Sequence, residues 1–119
     1  MKVVVSALGP GLDDRVDERF GRAMYLIVTD TDNDSLESIE NATNRNALQG
    51  AGIASAEIVS DQGAKTVITG HLGPKAFAAL GVAGVRGYNG AGMTVREAIA
   101  AFVAGSLEEL TEAGEAHAG

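Results

Sequence analysis

Residues 69–77 read TGHLGPKAF and directly follow KTVI, the most strand-like run in the middle of the chain. An imidazole at a strand end can ligate a metal or hydrogen-bond a loop backbone, and His71 is open to both uses. Gly70 and Gly73 let the main chain approach a ligand closely. Pro74 suits the first position of a helix, where its missing N–H would have no partner anyway. A single Gly or Asn would be enough to join a strand to a helix, so the surplus of special residues points to something held there.

Two further junctions share this pattern. Gly50 and Gly52 open GAGIASAEIVSDQG, and Gly90 and Gly92 precede TVREAIAAFVAG. A helix N-terminus carries unpaired N–H groups and the positive end of the helix dipole, so such junctions gathered at one sheet edge attract an anion. The rival explanation is that these glycines only make turns.

The elements that must position these residues alternate along the chain. KVVVSAL is a β-branched run ending in GPG, and reads as a buried first strand followed by a long loop over residues 9–22. MYLIVTD is a second strand, TDND is turn chemistry and LESIEN completes a hairpin. After the polar NATNRNALQG comes a helix opened and closed by glycines, then KTVITG as strand four and PKAFAALGV as a helix. GVRGY is a short fifth strand, and Thr94 with Glu97 three residues on forms a capping box for the last helix. The order predicts an α/β fold with a mixed five-stranded sheet, a ββ-hairpin plus parallel βαβα, in which strands one, four and five are parallel and adjacent. The junctions after strands four and five then lie at the carboxyl edge, where open α/β sheets place ligands. SLEELTEAGEAHAG lacks a sustained apolar face, so a single domain is expected over residues 1–105 with a flexible acidic tail over 106–119.

Composition narrows the function further. The chain has 119 residues, 45% of them apolar, which suits one compact core. Aromatics make up only 4%, with no Trp, which argues against base stacking on single-stranded nucleic acid. A net charge of -7 without a basic run argues against binding a phosphate backbone. Much of that charge is local: Glu108, Glu109, Glu112 and Glu115 stand near the end with no Lys or Arg among them, leaving 12 acidic against 9 basic residues elsewhere. The absence of cysteine removes disulfides, thiolate nucleophiles and Cys-ligated metal sites. The apolar run near the N-terminus is too short for a signal peptide or a membrane span, and a cytoplasmic protein with no membrane partner is expected.

Other apparent motifs fail. DTDNDSLESIEN begins like a calcium loop, but Ser35 stands where glycine is required and Asn41 where a bidentate acid should close it. Neither GPGLDD nor GAGIAS completes a dinucleotide fingerprint, and no P-loop is present. Asp13, Asp14, Asp17 and Glu18 alternate with Arg15, Arg19 and Arg22, which reads as a solvated, salt-bridged face. No nucleophile has a positioned base, and KVVVSAL offers no carboxylate for two-metal hydrolysis, so a non-enzymatic protein is expected.

VDERFGRA, IEN, GAGIASAEIV, VITGHLGPKAFAAL and VREAIAAFVAG follow one another in a specific order and spacing. In these motifs, over roughly residues 1–107, the chain resembles the dinitrogenase iron-molybdenum cofactor biosynthesis family, which includes NifX and NafY type carriers and the C-terminal domain of NifB type proteins. The resemblance implies a ribonuclease-H-like three-layer fold. It also implies a carrier for an anionic iron–sulfur or iron–molybdenum type cluster or its precursor, working with cluster-assembly proteins. On that reading Arg19, Phe20, Gly21 and Arg22 form one wall of the site, Gly70, His71 and Gly73 a second, and Gly90 with Gly92 a third, with Gly50 and Gly52 beside them. Several cluster-carrying members have a histidine immediately before the Phe-Gly pair, where this chain has Arg19. Arginine does not coordinate a metal, though its fixed charge and donor fork can hold an anionic cluster from outside. His71 is the candidate metal ligand, with a hydrogen bond to the loop backbone as its alternative use. The alternative is a sensor of phosphate, nucleotide or carboxylate, or an interaction module, using the same glycine-rich pocket.

Overall fold

The computed structural model describes residues 1–41 and 50–114, so most of NATNRNALQG lies outside the described residues. Strand β1 (Lys2–Ala7) is buried over its last five residues. A continuous apolar strand of this kind needs cover on both faces, and it takes the centre of the sheet. β2 (Tyr25–Asp30) and β3 (Ser35–Glu40) form the expected hairpin and extend one side antiparallel to β1. β4 (Thr66–Thr69) pairs parallel with β1, and β5 (Arg86–Asn89) pairs parallel with β4. The aspartate-rich stretch is the turn of the hairpin: the Asp34 backbone sits at φ 56, and Asp30 accepts from the Asp34 N–H.

The sheet has six strands, in the order β3-β2-β1-β4-β5-β6, where the sequence reading expected five. The addition is β6 (Glu109–Leu110), antiparallel to β5. Two residues carry no alternation that could be read as a strand; the open edge of β5 recruits them. With β6 come two apolar anchors. Leu110 packs on one core and Leu107 on the other, so residues placed in the tail by the sequence reading reach both cores.

Three helices are present among the described residues. α1 (Ala51–Asp61) and α2 (Pro74–Val82) lie on one face, where Ala56, Val59, Ala76 and Leu80 cluster with Val4, Leu26, Val28 and Val67. α3 (Val95–Val103) covers the other, where Val95 and Ala98 meet Val3, Val5, Ile27 and Ile68. Alternate residues of one strand thus serve different layers, as the two-residue period of a strand requires. The result is the three-layer α/β arrangement expected. Among the described residues no helix is long and apolar enough to cross a membrane.

Candidate functional site

The parallel strands β1 and β4 end side by side, and each brings a hydroxyl to that end, Ser6 from β1 and Thr69 from β4. Ser6 Oγ lies 2.7 Å from Thr69 Oγ1, and both residues are fully buried. Ser6 Oγ donates to the Asp17 carbonyl at 2.6 Å, while the Asp17 N–H donates to the Ser6 carbonyl at 2.9 Å. The loop after β1 is therefore stitched to the strand ends. The Asp17 carboxylate is only 3% exposed and accepts from the backbone N–H of Arg19 at 3.1 Å and of Met24 at 3.3 Å. It also pairs with Arg19 Nε at 3.3 Å. This corrects the reading of the acidic and basic run as a uniformly solvated face: Asp13 and Arg96 do pair in solvent, but Asp17 is an interior carboxylate.

Beyond Arg19 the loop is held from below. Phe20 is wholly buried among the residues packed under α1 and α2, so it anchors the loop from the core side. Asn41, itself buried, donates through Nδ2 to the carbonyls of Gly21 at 3.2 Å and Ala23 at 3.0 Å. A Cβ on Gly21 would sit 2.6 Å from the backbone nitrogen of Gly52, so the loop rests directly on the start of α1. Buried polar groups satisfied in this way fix one loop conformation.

On this shelf Arg19 and His71 are neighbours. They form an isolated parallel bridge between the loop and the β4–α2 junction. Gly70 makes the approach possible: a Cβ there would lie 2.7 Å from Glu18 Cβ and 2.9 Å from Glu18 Cα. Two residues beyond His71, Gly73 is the N-cap of α2 in an extended conformation (φ -68, ψ 168), and as a glycine it has no side chain to cap the helix. Pro74 has no N–H, and the first bond into the helix is from Phe77 N to the Gly73 carbonyl at 2.9 Å. A half-exposed guanidinium, an imidazole and an uncapped helix N-terminus therefore share one corner at the carboxyl ends of β1 and β4.

The other predicted walls are used differently. Gly90 is buried, and a Cβ there would meet Ile68 at 2.6 Å and Ala98 at 3.2 Å, so it serves packing of α3 on the sheet. Gly92 takes φ 84 in open space, and its carbonyl accepts from Arg15 Nη2 at 2.7 Å. The first turn of α3 has no donor left. Thr94 N–H goes to Glu97 Oε1, Val95 N–H to the Asp14 carbonyl, Arg96 N–H to the Leu12 carbonyl and Glu97 N–H to Thr94 Oγ1. Gly50 adopts φ 77 at the N-cap of α1 with nothing near its Cβ position, and Gly52 lets α1 approach α2, its Cβ position being 2.9 Å from Ala76 Cβ. Arg22, partly buried, lies on the loop between Gly21 and Ala23.

Sequence reasoning passed over Ser6, Asp17, Asn41, Ser55 and Thr69, the buried polar residues around the shelf. The available signal was a hydroxyl at or next to the last residue of each of two buried strands, Ser6 in KVVVSA and Thr69 in TVIT. Among the described residues no group of three or more His, Cys, Asp or Glu could hold a metal ion. The donor set here is one imidazole, one guanidinium and backbone amides, which suits an anion held mainly by charge and N–H groups with one protein–metal bond.

Known structures place this corner in context. The apo form of the orange protein from Desulfovibrio gigas is 37% identical, with 96% of each chain covered and a TM-score of 0.92. A NifB candidate from Thermotoga is 38% identical over 96% of this chain and 97% of its own, with a TM-score of 0.84. An uncharacterised protein of Methanocaldococcus jannaschii is 29% identical over 113 residues, 92% of this chain and 95% of that one. The family model described as dinitrogenase iron-molybdenum cofactor matches residues 1–105, and the chain belongs to that family.

Proposed function

We propose that this protein is a non-enzymatic carrier that takes an anionic iron–sulfur or iron–molybdenum type cluster, or its precursor, as cargo and exchanges it with cluster-assembly proteins in the cytoplasm. The observation that carries the reading is the bridge between Arg19 and His71 beside the uncapped start of α2. His71 supplies an imidazole nitrogen as the one protein ligand to metal. The amides of the first turn of α2, aided by its dipole, supply N–H donors and positive potential to sulfide or oxo groups. Arg19 adds charge, moderated and aimed by the Asp17 carboxylate behind it. A carrier benefits from few covalent ligands, because cargo must leave as well as enter. The family match and the likeness to a protein described in an apo form support a bound group.

The test is anaerobic incubation with ferrous iron and sulfide, with and without molybdate, followed by desalting and metal analysis. His71→Ala is expected to lower retained metal by about 10-fold or more, as loss of a metal ligand or its support does. Arg19→Ala should give a smaller loss that fades as salt is raised, because it acts through charge alone. If the parent retains no metal under any of these conditions but is stabilised by phosphate or a nucleotide in a thermal-shift series, the pocket serves a small oxyanion and the carrier reading fails.

A further inference from the structure

The chain turns out of α3 at Gly105, where φ is 75, and passes along the edge of the sheet antiparallel to β5. Ser106 N–H donates to the Ala101 carbonyl, Asn89 N–H donates to the Glu108 carbonyl, and Glu109 and Leu110 pair with Tyr88 and Gly87. The segment then crosses to Gly114, whose N–H donates to the Leu72 carbonyl at 2.8 Å. There Gly114 packs against the imidazole of His71: a Cβ at this position would overlap Cε1 and Nε2 of the ring. Between α3 and this contact the chain carries Glu108, Glu109 and Glu112 and no basic residue.

We infer that residues 106–114 form an acidic strap that closes over His71 and lifts to let an anion reach it. This gating role rests on the anionic cargo proposed above. The covering contact is specific, since only glycine has room against the ring. The strap is also lightly fastened. Its strand is two residues long, and its anchors Leu107 and Leu110 are only partly buried. The strap's Glu109 and Leu110 line a solvent-open groove of about 300 Å³ together with Leu72, Phe77, Leu80 and Val85. Elements with few buried contacts open below the global unfolding energy. The strap's net negative charge acts in the same direction, disfavouring an anion while the strap is closed over His71, although Glu109 is paired with Arg86 at 4.0 Å.

Two measurements test this on the full chain. Amide exchange on the unmodified protein should show the Gly114 N–H opening about 100-fold or more faster than the amides of β1, as a sub-global event does. In a His117→Gln background, so that one imidazole reports, Gly114→Ala should raise the rate of His71 modification by diethyl pyrocarbonate about 5-fold or more, the effect of a small shift in a closing equilibrium. Loading with ferrous iron and sulfide should speed up in the same variant. Gly114 exchange that occurs only with global unfolding, or a His71 rate unchanged by Gly114→Ala, overturns the strap. Faster His71 modification with unchanged iron loading overturns its role as a gate. If neither protein retains iron while His71 does become more reactive, the strap is upheld and the proposed cargo is what fails.

Discussion

The β4–α2 and β5–α3 junctions look alike in sequence, each a parallel strand followed by glycines and a helix at the same sheet edge, yet the molecule uses them in opposite ways. At α3 every first-turn donor is consumed within the protein, by the Thr94–Glu97 box and by the carbonyls of Leu12 and Asp14. At α2 the N-cap is Gly73, which has no side chain to cap the helix, Pro74 occupies the first position, and Arg19 is bridged to His71 just ahead of it. Glycines at a helix start are therefore not evidence of an anion site by themselves. What matters is whether neighbouring segments have already taken the N–H groups.

Glycine substitution gives the largest expected separation between the two junctions. Gly70→Ala forces a Cβ to within 2.7 Å of Glu18 Cβ and 2.9 Å of its Cα, so the loop backbone itself must move. It should cost about 2–3 kcal/mol in a denaturant titration. It should also impair cargo retention, because the loop that moves carries Arg19. Gly92→Ala meets open space and only the strain of its positive φ, so a loss of about 1 kcal/mol with retention unchanged is expected. Equal effects at the two sites would break the comparison.

Thr94→Ala removes the side-chain cap of α3 and should cost about 1 kcal/mol of stability. Metal retention after incubation with iron and sulfide should stay at the parental level. A loss as large as that of His71→Ala would mean that the closed junction is part of the site.

The smallest effect is a pH dependence at α3. Hydrogen bonds from the backbone and side chain of Thr94 hold the Glu97 carboxyl below its ordinary value of 4.5, with Arg15 adding to the effect. A lowered folded-state value means that the unfolded chain binds the proton first. The stabilisation is therefore complete above the ordinary value and is lost as pH falls through the lowered one. Melting temperature should accordingly decline in that acid window, and Glu97→Gln should flatten the decline. An unchanged acid slope in Glu97→Gln would show that the box contributes nothing through its charge.

The sequence was sufficient where a pattern is local. The apolar run of KVVVSAL, the glycine-bounded helix α1, Pro74 at the start of α2 and the capping box at Thr94 each rest on periodicity or on contacts three to four residues apart. Together with the turn residues TDND and the runs MYLIVTD, KTVITG and GVRGY, these features made the hairpin and the parallel strands β1, β4 and β5 legible. Only the tertiary structure decided that the start of α3 is closed, because the carbonyls that close it come from residues 12 and 14, some 80 positions earlier. It likewise decided that Asp17 is interior, that Phe20 anchors the loop from the core, and that Glu109 and Leu110 add a sixth strand leading Gly114 onto His71. Such outcomes depend on which distant segments the fold brings together, and a short stretch such as EL acquires its conformation only when the free edge of β5 supplies the partners for its hydrogen bonds.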